Sequence, residues 1–225
     1  MPLNKSKGNM YGFVTHTFNT IKGACPHDCD YCYMKRRGTL RTVRFDEKEK
    51  KTDLGKNNVI FVGSSCDMWA ADIPEKWILD TLDMLTDDNV YLFQSKNPLR
   101  FGDFRRKMRM ADVLATTIES NRKYSKGSVV APDPKVRAIH LTHVAKPFLN
   151  KMVTIEPIMD FDFKEMVDMI DYIQPQLVAI GANTRTNVTL AEPPPAKIEK
   201  LILALREFTK VHLKPNLKRL YWEGK

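Results

Sequence analysis

Val59-Ile60-Phe61-Val62-Gly63 and Leu177-Val178-Ala179-Ile180-Gly181 are short, near-continuous apolar runs, rich in β-branched residues and closed by glycine. Runs of this kind mark strands buried on both faces, as in a parallel sheet. Parallel neighbours need a crossover of a dozen or more residues between them, usually a helix. Working outward from the two runs, strand candidates cover Asn58–Ser65, Asn89–Ser95, Asp112–Ile118, Met152–Pro157, Gln176–Gly181 and Val211–Lys214, with an earlier one over Phe13–Phe18. Helix candidates fill the intervals at 73–86, 98–110, 134–149, 161–173 and 194–208. Phe163, Met166, Val167, Ile170 and Ile173 fall on one helical stripe, and Ile198, Leu201, Ile202, Leu205 and Phe208 on another. Pro74, Pro98, Pro134 and Pro195 sit near helix starts, where a missing N–H costs little.

Repeated β-then-α order implies right-handed crossovers and an α/β fold. A complete eight-fold barrel usually needs ~250 residues, and this chain has 225. The expectation is therefore one domain over residues 1–225, a partial, open TIM barrel of about six βα units with parallel strands. Residues 38–57 read as a charged surface excursion. Residues 119–133 and 182–196 are the other long loops, and both follow strands at their C-terminal ends, where α/β folds bind ligands.

Hydrophobic residues make up 43% and charged residues 28%, which suits a soluble folded protein. No apolar run of about 18 residues exists, which excludes a membrane-spanning helix, and the first ten residues lack the apolar core of a secretory signal. The net charge is +9, unevenly spread: residues 1–56 carry 12 basic and 6 acidic side chains. Lys35, Arg36, Arg37, Arg41 and Arg44 form one basic run; Arg100, Arg105, Arg106, Lys107 and Arg109 form another, interleaved with Phe101 and Phe104. Such patches attract phosphate-bearing partners, so a nucleic acid or nucleotide is the expected substrate class. The bland alternative is a solvated basic face.

There are four cysteines, and three crowd into Cys25-Pro26-His27-Asp28-Cys29-Asp30-Tyr31-Cys32. This is a poor disulfide framework and a good metal site in a reducing compartment, hence a cytoplasmic expectation. Soft thiolates select iron–sulfur clusters or zinc. Three thiolates on a four-iron cube leave one iron open, and an open coordination site reads as catalytic. The rival is a zinc site in which His27 or His16 joins the thiolates, in a non-catalytic nucleic-acid-binding module. Zinc motifs, however, favour paired elements far apart in sequence, and no second pair exists here.

The C-x3-C-x2-C spacing, the aromatic Tyr31 before the last cysteine, the place after the first strand and the βα series behind it together resemble the radical SAM superfamily. More distantly, four segments resemble a bacterial and phage branch similar in pattern to spore photoproduct lyase: His16-Thr17-Phe18-Asn19, Phe61 to Asp67, Thr117-Ile118-Glu119 and Ile155-Glu156-Pro157. The resemblance implies that Cys25, Cys29 and Cys32 hold a 4Fe-4S cluster. It implies that the open iron chelates S-adenosylmethionine and that reductive cleavage yields a 5′-deoxyadenosyl radical. An external one-electron reductant of flavodoxin or ferredoxin type is then required. A peptide or small metabolite is the alternative substrate.

The same resemblance places the cofactor's amine at a polar turn after the second strand, here Gly63-Ser64-Ser65, with Asp67 available to supply charge. The ribose hydroxyls need short polar acceptors near the fourth strand; Thr117, Glu119 and Ser120 are the candidates. Thr117 and Glu119 share strand parity and so one face. Glu156 ends a buried apolar run, which is unusual for a carboxylate unless paired, and it is a candidate for cofactor or substrate binding or catalysis. Asn183 and Lys214 point towards the same mouth if the register holds. Cys66, just past the second strand, is the remaining thiol, and thiols can donate a hydrogen atom to a carbon radical.

Overall fold

The computed structural model describes residues 3–38, 40–124, 127–128, 130–145 and 150–222. Among these, ten strands form: β1 Asn4–Lys5, β2 His16–Phe18, β3 Ile21–Lys22, β4 Arg44–Phe45, β5 Val59–Val62, β6 Val90–Ser95, β7 Val113–Thr117, β8 Asn150–Ile155, β9 Leu177–Ile180 and β10 Lys210–Leu213. Four α-helices accompany them: α1 Glu75–Leu82, α2 Pro134–Val144, α3 Phe163–Ile173 and α4 Pro195–Arg206. Eight strands make one sheet in the order β1-β2-β5-β6-β7-β8-β9-β10. Every pair from β2 to β10 is parallel, and β1 is antiparallel to β2. The two edges, β1 and β10, do not pair, so the sheet curls as an α/β barrel left open, as the element order implies.

β3 and β4 form a separate two-stranded sheet. It was not legible in the charged stretch 38–57, whose return arm is β4. The segment expected as a helix over 98–110 is instead a run of 3-10 turns, Pro98–Lys107. Its buried residues, Pro98, Phe101 and Phe104, recur every third position, the repeat at which 3-10 side chains eclipse. α2 follows its expected start at Pro134, with the Asp133 carboxylate capping Lys135 N–H. Its expected end over 146–149, and the Arg37 side chain, lie outside the described residues. No helix among the described residues is long and apolar enough to cross a membrane.

Strand parity divides the core in two. Ile60, Val62, Tyr91, Phe93, Leu114, Val153, Ile155, Val178 and Ile180 face outward and pack with the helices. Phe61, Leu92, Ala115, Met152 and Ala179 face inward and close around Tyr11 and Val14 from the N-terminal segment. That segment plugs one end of the barrel. The next inward positions, Gly63, Gln94, Thr117 and Thr154, are small or polar and border open space.

Candidate functional site

The open space is a cavity of about 420 Å³ at the C-terminal ends of the strands. Its floor is Tyr11, whose hydroxyl donates to Gln94 Oε1 at 2.7 Å and is hydrogen-bonded to Thr154 Oγ1 at 2.7 Å. Gln94 Nε2 in turn donates to Thr117 Oγ1 at 3.1 Å. Burial pushes the Tyr11 phenol up, so it stays a neutral donor.

All three cysteines of the motif border this cavity. They sit on the loop that connects β3 to the 3-10 turn Tyr33–Arg37. Gly23 starts that loop at φ 111°, and a Cβ there would lie 2.5 Å from the Thr42 carbonyl, so only glycine lets the chain leave the hairpin here. Ala24 N–H donates to Arg41 O at 2.7 Å. Both long loops foreseen from the sequence press on the motif: Ser128 donates to the His27 carbonyl and Arg185 to the Asp30 carbonyl. Cys29 and Tyr31 are buried against Met159 and Leu190.

The three thiols feel one another. Burial pushes Cys29 up to about 11, with Cys25 and Cys32 adding to the rise and Lys96 opposing it. Burial and Cys25 likewise raise Cys32. Cys25 is brought down to about 7, chiefly by the Cys66 thiol beside it. Among the described residues no three His, Cys, Asp or Glu side chains converge as the ligands of one metal ion. His16 does not border the cavity; its Nδ1 lies 3.0 Å from Thr15 Oγ1. His27 is spent on Asp67, at 2.9 Å. The three thiols are soft donors spread along one cavity wall. They fit a cube, which spreads its thiolates over separate irons.

Cys66 and Asp67 also border the cavity, next to the turn Gly63-Ser64-Ser65. Asn19 Oδ1 gathers that turn, accepting from Ser65 N at 2.9 Å, Ser65 Oγ at 3.0 Å and Ser64 Oγ at 3.2 Å. Tyr33 OH donates to Ser64 O at 2.6 Å. Asp67 is saturated. Beside His27, it accepts from Ser95 Oγ and Lys96 N, both at 2.9 Å, and from Trp69 N at 3.0 Å. Burial pushes its carboxyl up, but the His27 bond and charge and these N–H donors hold it below the usual range.

Thr117 and Glu156 border the cavity; Glu119 and Ser120 do not. Ser120 fastens the next loop, donating to Asp160 O at 2.6 Å. Glu119 is sealed behind Tyr31, whose hydroxyl donates to it. Lys96 donates to the same carboxylate, and Arg137 lies 2.9 Å away. Burial alone would raise the Glu119 carboxyl; Arg137 and Lys96 bring it down to about 2. Two cations, Arg137 buried and Lys96 partly so, against one carboxylate leave an excess positive charge beside Cys29, and Lys96 also lies over the Tyr31 ring at 5.3 Å. Glu156 accepts from Asn9 and Asn216 at 2.7 Å each and from Lys214. Asn183 shapes its own loop, donating to Arg185 O at 2.9 Å and Val188 O at 2.8 Å.

Tyr11, Asn9, Asn19, Lys96, Arg137 and Asn216 were not foreseen. Lys96 carried a signal: like Glu156, it is a charge just past a buried strand. Arg137 reads as an ordinary surface residue of an amphipathic helix, and Tyr11 precedes any recognisable element. The basic stretch 100–109 is not a second face of the site. Arg100 donates to the carbonyls of Ala71, at 3.1 Å, and Ile73, at 2.5 Å. Arg109 pairs with Asp112 near the N-terminal ends of the strands, and Lys107 with Asp83 at 2.5 Å.

No family model matches the chain, and no curated protein matches it in sequence. Solved structures do match. A single-site mutant of spore photoproduct lyase aligns with TM-score 0.65 and 9% identity, over 93% of this chain and 80% of that one. A double mutant of the same lyase, with bound AdoMet and dinucleoside spore photoproduct, aligns with TM-score 0.61 and 10% identity, over 91% and 78%. The fold is that of spore photoproduct lyase. The resemblance seen in the cysteine motif is thus accompanied by a likeness of the whole barrel to a lyase solved with bound AdoMet.

Proposed function

We propose that this chain is a radical SAM enzyme acting on nucleic acid or a nucleotide. The observation that carries the reading is that Cys25, Cys29 and Cys32 share one cavity with the Gly63–Ser65 turn, Thr117 and Glu156, at the strand ends of this barrel. Three thiolates hold a 4Fe-4S cluster and leave one iron open. When bound, that cluster and S-adenosylmethionine supply a 5′-deoxyadenosyl radical, which abstracts hydrogen from the substrate.

The protein's own part is positioning. The Gly63–Ser65 turn, drawn together by Asn19, offers carbonyls and hydroxyl lone pairs to the cofactor amine. Thr117 offers a hydroxyl to the ribose. Asp67 does not meet the cofactor; it orients His27 and so the cysteine loop. Glu119 acts from behind, holding Tyr31 and with it Cys29 and Cys32. The excess charge of Lys96 and Arg137 offsets the negative charge gathered by a thiolate-bound cluster. Glu156, fixed by three donors, presents a rigid carboxylate on the far wall. Cys66 lines the cavity, where its S–H bond can break to give a hydrogen atom to a substrate radical, forming the substrate C–H bond and leaving the odd electron on the Cys66 sulfur.

A nucleic-acid substrate is favoured because the fold is shared with a lyase solved with a dinucleoside ligand. Exposed Lys7 and Arg36 border the cavity, where a phosphate backbone can be held while one nucleoside reacts. In a duplex that nucleoside would first have to be unstacked.

Anaerobically reconstituted protein is expected to bind about four irons per chain and to release 5′-deoxyadenosine from S-adenosylmethionine, faster with DNA or RNA present. Stoichiometric zinc without iron sinks the reading. Lys7→Gln with Arg36→Gln should reduce the log–log salt slope of oligonucleotide binding by roughly 0.7–0.9 for each phosphate that is no longer held. An unchanged slope removes both residues from the substrate path.

A further inference from the structure

The basic run after the cysteines is divided by the fold. Arg36 borders the cavity, whereas Arg41 and Arg44 do not. They belong to the arm that returns behind the cysteine loop. Val43 and Phe45 pack into the core, so Arg44, between them, points away from it, and both arginines are exposed. Neither lies within ion-pair distance of a carboxylate among the described residues. The nearby acids are already taken: Lys22, cross-strand from Arg44, pairs with Asp46 at 2.8 Å and Glu49 at 2.7 Å. The backbone of this arm touches the motif directly, through the bond from Ala24 N–H to Arg41 O. Ala24 is exposed and Cys25 is partly so. An exposed basic face with no ion pair of its own among the described residues thus stands one residue from the first cysteine and outside the cavity lining.

We infer that this face, Arg41 and Arg44 on the β4 arm, docks an acidic one-electron carrier protein that reduces the cluster. The inference rests on the radical SAM reading above. A substrate must enter the cavity to react, and Arg41 and Arg44 do not line it. An electron needs only nearness to the cluster. A carrier whose flavin or iron–sulfur edge is ringed by carboxylates is steered to such a face. In the step itself one electron leaves the carrier's reduced flavin, which is oxidised by one. A cluster held by Cys25, Cys29 and Cys32 would take up that electron, and no atom would be transferred. Substrate and carrier can then be bound at the same time.

The test uses the cluster-loaded enzyme and an acidic flavodoxin in its hydroquinone form, with cluster bleaching followed by stopped flow. For Arg41→Glu with Arg44→Glu, the second-order rate is expected to fall at least about tenfold and to lose most of its salt dependence. Iron content and reduction by dithionite should stay at wild-type values. Arg41→Gln with Arg44→Gln should fall in between, which guards against a folding defect in the reversed variant. As a readout independent of turnover, calorimetric affinity for oxidised flavodoxin should drop in the same order. Unchanged flavodoxin rates and affinity overturn the docking face. So does a variant that loses oligonucleotide affinity but keeps its flavodoxin rate, since the face would then belong to the nucleic acid. Failure of the wild type to take up iron is a different result, and it overturns the underlying reading instead.

Discussion

Cys66 and Cys25 border one cavity and act on each other's thiols, lowering Cys25 and raising Cys66, although 41 residues separate them. Two outcomes of that contact are possible in principle, a fourth ligand or a neighbour, and they differ in what they leave for S-adenosylmethionine. A four-thiolate cube has no open iron.

Cys66→Ala is therefore expected to leave iron content at about the wild-type level, while Cys25→Ala, Cys29→Ala and Cys32→Ala each abolish cluster binding. Iron analysis and the visible absorbance of anaerobically loaded protein decide it. Loss of iron in Cys66→Ala would make the cluster a closed, four-ligand site and end the case for cofactor binding at the metal.

A pH dependence follows from Glu119. Its carboxyl lies near 2 in the folded protein, below its ordinary 4.5, because Arg137 and Lys96 outweigh burial. A lowered folded value means stabilisation that is present above about pH 4.5 and is lost as pH falls towards 2. The size is of the order of 3 kcal/mol. Glu119→Gln should be markedly less stable than wild type at pH 7, because it leaves buried Arg137 and partly buried Lys96 without their carboxylate. The gap should stay constant from pH 7 to about 5 and shrink below that. Urea midpoints for the two proteins across this range give the answer, and a gap of the same size at pH 3 as at pH 7 would show the stabilisation to be uncharged.

Gly181 faces Glu156 at close range. A Cβ there would stand 2.6 Å from Glu156 Oε1 and 2.9 Å from Asn216 Oδ1. Gly181→Ala should displace the carboxylate from its three donors and cost roughly 1–3 kcal/mol. In a Glu156→Ala background the same change should cost much less, since the clashing atoms are gone. A double-mutant cycle with no coupling would mean that the carboxylate is not held against this backbone.

The barrel itself was legible because its strands are buried on both faces and so carry unbroken apolar runs; Val59–Val62 and Leu177–Ile180 lie inside the expected spans. The thiols, Thr117, Glu156 and the Gly63–Ser65 turn were legible from motif and parity, and all border one cavity. Glu119 was foreseen as a polar group at a strand end, but not that two residues further along the chain is enough to carry it behind Tyr31. Periodicity says which face a side chain takes, not which neighbour will cover it. Arg137 and Tyr11 were hidden for the same reason: their roles come from contacts across 20 to 143 residues of sequence, which no local pattern encodes. The 3-10 run at 98–107 is visible afterwards in the threefold spacing of Pro98, Phe101 and Phe104.

Asn9 Oδ1 accepts from Asn216 N at 3.4 Å, across 207 positions, and both residues also donate to Glu156. As the chain emerges from the ribosome, Asn9 and Tyr11 appear early and must wait for almost everything else. The strands that build the wall can pair in order, each with its predecessor, but the wall has no far side until Lys214 and Asn216 arrive. Domains that are finished only by a long-range contact expose unpaired surface in the meantime. For this chain that surface is the interior of the barrel and its thiols. Under the reading proposed above, a cluster would be inserted after Asn216 has reached Asn9, and an assembly factor would meet a cysteine loop already backed by the barrel.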